Sequence, residues 1–119
     1  MTVWPEEDII LKPGERAILP TGVAISLPGP EWVALMTIRS GVGSRGLMLC
    51  NGVGVIDSDY RGELRVAVIN HSGADFEIKR GDRLAQLLIV PVAQAAFVPV
   101  ETLGSTERGS GGYGSTGMR

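Results

Sequence analysis

Tight-turn signals recur about every ten residues along this chain, at Pro13-Gly14-Glu15, Pro28-Gly29-Pro30, Ser40-Gly41, Asn51-Gly52, Tyr60-Arg61-Gly62, His71-Ser72-Gly73 and Arg80-Gly81-Asp82. That spacing leaves room for strands but not for helices of ordinary length. Glycine supplies much of it: 17 of 119 residues are glycine and seven are proline, against a usual glycine share of about 7%. Between the turns lie short β-prone runs, Asp8–Leu11, Arg16–Leu19, Val23–Leu27, Trp32–Ile38, Gly46–Cys50, Val53–Ile56, Glu63–Ile69, Phe76–Ile78, Leu84–Val90 and Ala96–Val100. In Glu63–Asn70 the residues Leu64, Val66 and Val68 alternate with Glu63, Arg65 and Ala67, as in an antiparallel strand with one buried face. Leu84, Leu87 and Leu88 have helical spacing, but Pro91 truncates the stripe and Ile89-Val90-Pro91-Val92 favours an extended chain. The expected class is all-β, with at most one helical turn around Gly41–Arg45.

Charge and rare residues narrow the chemistry. Lys and Arg number 11 against 13 for Asp and Glu, so neither nucleic acid nor an anionic membrane is an expected partner. One cysteine, Cys50, and one histidine, His71, exclude a disulfide framework, Cys-rich zinc sites and most Ser-His or Cys-His triads. Cys50 is expected to be buried packing and His71 a solvated turn residue. The uncharged stretch Leu84–Val100 falls short of the roughly 20 residues of a membrane helix and carries Gln86, Pro91, Gln94 and Pro99. Glu6, Glu7 and Asp8 stand where a secretory signal would be basic, so the expected location is the cytoplasm.

Composition changes after Leu103. Gly104–Arg119 contains six glycines, three serines and two threonines and cannot pack as core. The chain therefore divides into a β core, 1–103, and a flexible arm, 104–119. Gly109-x-Gly111-x-x-Gly114 has the form of a dinucleotide fingerprint but lacks the strand and helix that motif requires. Arg108, the exposed amides and the hydroxyls of Ser115 and Thr116 would suit phosphates, with Tyr113 available to stack on a base. An ordinary solvated tail has the same composition.

Two further segments have comparable double readings. Arg39-Ser40-Gly41-Val42-Gly43-Ser44-Arg45-Gly46 is either a phosphate-binding turn or a surface turn with solvated arginines. Asn51-Gly52-Val53-Gly54-Val55-Ile56-Asp57-Ser58-Asp59-Tyr60 is an apolar hairpin with a carboxylate where it emerges, and Asp57 is either a turn residue or a reactive group.

Taken together and in order, these segments resemble motifs of the trimeric deoxyuridine triphosphate nucleotidohydrolases, the dUTPases. Arg39-Ser40-Gly41 resembles the family's second motif. Gly54–Tyr60 with Arg61-Gly62-Glu63 resembles the third, Arg80-Gly81-Asp82-Arg83-Leu84-Ala85-Gln86 the fourth, and Arg108–Gly117 the fifth. The likeness covers residues 8–119. It departs at Ile38, where the family usually has Pro, and at Tyr113, where Phe is commoner. The family's first motif, an Ala-Gly-x-Asp segment ahead of the region equivalent to Asp8, is absent; in the family its Asp supports the second-motif arginine.

The resemblance implies a distorted jelly-roll β-barrel, a homotrimer with shared sites, and hydrolysis of dUTP to dUMP and pyrophosphate, which limits uracil in DNA and supplies dUMP for dTTP synthesis. Asp57 would be the general base on a water attacking the α-phosphorus. Mg²⁺ would be held by substrate phosphates and water, with no metal ligand on the chain. Arg39, Ser40, Gly41 and Gln86 would contact the phosphates. Asn51, Gly54 and Val55 would match the uracil edge, Tyr60 would lie under the deoxyribose, and Arg108, Gly111, Tyr113, Gly114, Ser115 and Thr116 would close from the arm. The alternative is a catalytically impaired dUTP-binding or regulatory protein on the same fold. The dCTP deaminases share the fold but generally lack a glycine-rich fifth motif.

Overall fold

The computed structural model describes residues 1–117. The β-prone runs condense into β1 (Ile9–Leu11), β2 (Arg16–Pro20), β3 (Trp32–Ile38), β4 (Leu47–Leu49), β5 (Gly54–Ile56), β6 (Arg65–Asn70), β7 (Phe76–Ile78) and β8 (Ala85–Pro91), with one helical turn, α1 (Ser40–Gly43). All strand pairings are antiparallel: β1 with β7, β2-β6-β4, and β5-β3-β8. The expected all-β, jelly-roll-like architecture is what forms.

Period-2 alternation builds the core. Leu64, Val66 and Val68 are buried as their spacing predicts, and Leu19, Leu47, Leu49, Met36, Ile56, Phe76 and Ile78 meet them from the other strands. Burying each such side chain contributes about 1.5–3 kcal/mol. Asn70 is fully buried among them. Its Nδ2 donates to the carbonyls of Leu11 and Ala74, both at 2.8 Å, while its Oδ1 accepts from the N–H and Oγ of Ser72, so every polar atom is satisfied.

Three expectations need correction. Val23–Leu27 is no strand: it carries the chain from the β2 sheet to the β3 sheet, so Ile25 and Leu27 touch the core but the backbone has no ladder beside it. Ala96–Val100 is likewise without a partner strand, with Phe97 97% exposed. Cys50 is exposed, because Leu47 and Leu49 take the inward positions and Cys50 falls in the turn that follows. Leu84–Val90 is extended as expected, and His71 is exposed.

The N-terminal residues form an edge that the motif reading did not anticipate. Thr2 bridges Arg83, the Val3 N–H donates to Asp82 C=O at 2.9 Å, and the Gly81 N–H donates to Val3 C=O at 2.9 Å. Beyond Pro91, residues 92–117 contain neither strand nor helix. Val92 and Gln94 still bond to the Glu31 and Pro30 carbonyls, at 2.8 and 2.7 Å, and the extended stretch beyond them raises the radius of gyration to 18.9 Å, against about 13–14 Å for a compact chain of this length. Among the described residues no helix is long and apolar enough to cross a membrane.

Candidate active site

The apolar hairpin expected at Asn51–Ile56 is instead a tight turn that leads from one sheet to the other, because β4 pairs with β6 and β5 with β3. The turn closes as Leu49 C=O accepts the Gly52 N–H at 3.1 Å and Gly52 takes a positive φ of 71°. Beyond it, β5 lies along β3 so that Gly54 is opposite Met36 and Ile56 opposite Ala34. A Cβ on Gly54 would come within 3.1 Å of the Met36 Cβ. Glycine thus keeps β5 close to β3.

The turn and β5 wall a cleft of about 510 Å³ lined by Met36, Asn51, Gly54, Val55, Asp57, Tyr60, Glu63 and Arg65, among others. The cleft gathers five of the residues singled out by sequence: Asn51, Gly54, Val55, Asp57 and Tyr60. Asp57 is exposed and also borders a second cleft beside Pro28–Pro30 and Trp32. The Tyr60 ring lies across Gly62, and its hydroxyl donates to the Glu63 carbonyl at 3.2 Å.

Glu63 ties the cleft wall to the loop after β2. Its Oε1 accepts the Gly22 N–H at 2.8 Å and the Thr21 N–H at 3.2 Å, and its Oε2 lies 3.4 Å from Arg65 Nε. The Gly22 N–H, with further help from Arg65 and Thr21, outweighs desolvation and holds the Glu63 carboxyl below its ordinary range. Arg65 and Met36 were missed by the motif reading. Alternation along Glu63–Asn70 put Arg65 on the outer face, but only the folded cleft shows that this part of the face lies beside the Asn51–Ile56 segment.

Arg39, Ser40, Gly41 and Gln86 form a separate group that does not line this cleft. Gln86 is opposite Thr37 in the β3–β8 ladder, and Arg39 follows directly on β3. The Arg39 backbone N–H donates to Leu84 C=O at 2.9 Å, and its Nη1 donates to Arg83 C=O at 3.0 Å. Arg45, at the far end of the glycine turn, packs its guanidinium 4.6 Å above the Phe76 ring. Burial first, then the charges of Arg39 and Arg83, lower the pKa of the Met1 amine, a sign of the positive field around this turn.

The arm residues form a third group. Arg108 Nε donates to Gly111 C=O at 2.9 Å, and Tyr113 sits fully exposed with a φ of 49°. Gly114, Ser115 and Thr116 are exposed as well. Residues 118 and 119, the end of the expected arm, lie outside the described residues. Within one chain the cleft beside Asn51–Ile56, the arginine turn and the arm are therefore three surfaces.

Comparison with known proteins adds an independent line. A dUTPase family model matches residues 3–117. The deoxyuridine 5'-triphosphate nucleotidohydrolase of Neisseria meningitidis serogroup A is 47% identical over 114 residues, 95% of this chain and 76% of that protein. The enzyme of the same name from Nautilia profundicola is 50% identical over 112 residues, 93% of this chain and 78% of that one. The structure of Staphylococcus bacteriophage 80alpha dUTPase with dUPNHPP superposes with a TM-score of 0.84 at 31% identity, covering 98% of this chain and 85% of that chain. A phage phi11 dUTPase described with a coordinated structural Mg(II) ion gives a TM-score of 0.74 at 30% identity, covering 87% and 84%. Ordered motifs, strand topology and these likenesses agree that the chain belongs to the dUTPase family.

Proposed function

We propose that the chain is a dUTP diphosphatase, converting dUTP to dUMP and pyrophosphate. The observation that carries this reading is the cleft beside the Asn51–Ile56 segment, where Asn51, Gly54 and Val55, the exposed carboxylate of Asp57 and the aromatic side chain of Tyr60 line one space. Such a site reads a base edge through groups that would otherwise be left unpaired, the costliest kind of mismatch. Relatives bearing the name of this activity, and a phage enzyme solved with a dUTP analogue, support it.

In this reading uracil enters against the Asn51–Val55 segment with the Asn51 amide beside it, and the deoxyribose rests on Tyr60, which leaves no space for a 2′-hydroxyl. Asp57 accepts a proton from the water that attacks the α-phosphorus, and pyrophosphate leaves. Arg39, Ser40, Gly41 and Gln86 take the phosphate chain. Most of the rate enhancement then comes from positioning and charge neutralisation.

Among the described residues no three His, Cys, Asp or Glu side chains converge on a metal position. The donor set on the chain fits a Mg²⁺ ion that is held by triphosphate oxygens and water. When bound, such an ion neutralises phosphate charge and orients the chain of phosphoryl groups.

The three separated surfaces support a homotrimer in which each complete site combines the cleft of one copy, the arginine turn of another and an arm. Residues 1–103 are the core and 104–119 the arm, with Arg108, Gly111, Tyr113, Gly114, Ser115 and Thr116 closing over the substrate. Phe97, Val98 and Leu103, 97%, 78% and 88% exposed, support a path over neighbouring copies. A cytoplasmic location fits the chemistry of a nucleotide pool enzyme.

The test is product analysis with Mg²⁺ and dUTP, beside dCTP, dTTP and UTP, using Asp57→Ala as control. dUMP and pyrophosphate from dUTP alone, lost in Asp57→Ala, is the expected result. Saturable dUTP binding without turnover would overturn it in favour of a regulatory binding protein.

A further inference from the structure

We infer that Trp4 and Arg80 are positioning residues for Arg39, acting through the peptide that joins Arg83 to Leu84. The inference rests on the assignment of Arg39 to the substrate phosphates proposed above. Among the described residues the Arg39 guanidinium has no carboxylate within ion-pair distance, and its one protein acceptor is the Arg83 carbonyl at 3.0 Å. A guanidinium oriented by a single carbonyl is only as fixed as that carbonyl.

The carbonyl is held from the opposite side. The same peptide unit donates its N–H, that of Leu84, to Met1 C=O at 3.1 Å. It is therefore suspended between the Arg39 side chain and the N-terminal segment Met1–Trp4. That segment runs along the 81–85 segment through the isolated Thr2–Arg83 bridge and the paired bonds between Val3 and Gly81 and Asp82. The fully buried Val3 side chain anchors its middle.

Its outer end is fastened by a clasp. The Arg80 guanidinium lies 5.6 Å from the Trp4 ring centroid, its Nη1 donates to Pro5 C=O at 3.0 Å, and its backbone N–H donates to Asp8 Oδ1 at 2.9 Å. Trp4 is 47% exposed, so core burial does not account for it. A planar guanidinium that both stacks and hydrogen-bonds locks a segment to a turn in a way that lysine cannot. Main-chain geometry thus ties the phosphate arginine to the fourth-motif turn.

The experiment is a double-mutant cycle on the full chain, with kcat and KM measured for dUTP well below the melting temperature of each variant. Trp4→Ala is expected to lower kcat/KM about tenfold, the scale of an ångström-level misplacement of a binding group, and Trp4→Phe to restore most of it. In an Arg39→Ala background, Trp4→Ala is expected to change kcat/KM less than twofold. Arg80→Met carries the same test should Trp4→Ala not fold. Equal losses in both backgrounds, or no loss in either, would overturn the inference while leaving Arg39 as a phosphate ligand. An unchanged kcat/KM in Arg39→Ala alone would instead overturn the assignment of Arg39 on which the inference stands.

Discussion

Replacing Gly62 by alanine separates the roles of folding and of substrate placement at Tyr60. The new methyl carbon would stand 2.6 Å from the Tyr60 Cζ and 3.1 Å from its Cε2. Ordinary contact begins near 3.4 Å, so the ring must retreat by roughly 0.8 Å or more. Tyr60 is 46% exposed and can move into water. The stability loss is then little more than its 3.2 Å hydrogen bond to the Glu63 carbonyl, about 0.5–1.5 kcal/mol. Replacing glycine also stiffens the unfolded chain, which offsets about 0.4–1 kcal/mol of that loss. Thermal melts should therefore move by only a few degrees. Catalysis should fall far more, by about 10- to 100-fold in kcat/KM for dUTP, because the sugar platform has shifted by nearly an ångström. Discrimination between dUTP and UTP should shrink as the space that excludes the 2′-hydroxyl opens. A Gly62→Ala enzyme that keeps both its kcat/KM and its preference for dUTP would refute the placement of Tyr60 against the sugar.

Three other outcomes are expected. Glu63 has its folded pKa below the ordinary 4.5, so its contribution to stability is present above that value and is lost as the pH falls through the lower folded value. Melting temperatures measured from neutral to acid pH should drop on that limb, and Glu63→Gln should flatten this part of the profile. Asn70→Leu takes the side-chain donor from the buried Leu11 carbonyl, at about 1–3 kcal/mol for an orphaned group; urea unfolding that shows no loss would contradict the role given to this side chain. Removing residues 104–119 should leave the melting temperature almost unchanged while abolishing most dUTP turnover, and a truncated chain with full activity would exclude the arm from the site.

Local pattern reached some features and not others, for identifiable reasons. Leu64, Val66 and Val68 announce their burial because alternation is a property of one strand. Asn51-Gly52 and the glycine turn after Arg39 announce themselves through chemistry that only a few residues can supply. Val23–Leu27 and Ala96–Val100 have strand composition, but a strand exists only where a neighbour offers hydrogen bonds, and no local pattern contains that neighbour. Cys50 failed on parity: Gly46–Cys50 reads as one run, while the structure begins β4 at Leu47 and ends it at Leu49. At the site, Asp57 and Tyr60 were legible as parts of an ordered motif. The Glu63–Gly22 link and the Thr2–Arg83 bridge were not, since each joins segments more than 40 residues apart.

A chain that holds Phe97, Val98 and Leu103 in water has a behaviour that depends on how much of it is present. Each square ångström of apolar surface left wet forgoes about 25 cal/mol, and copies of the chain supply the nearest means of covering it. By mass action, the fraction of molecules so covered rises with protein concentration. In the shared-site assembly proposed above, competence is a collective quantity: dilution would subtract working sites faster than it subtracts protein, and a rate quoted per molecule would have meaning only alongside the concentration at which it was read.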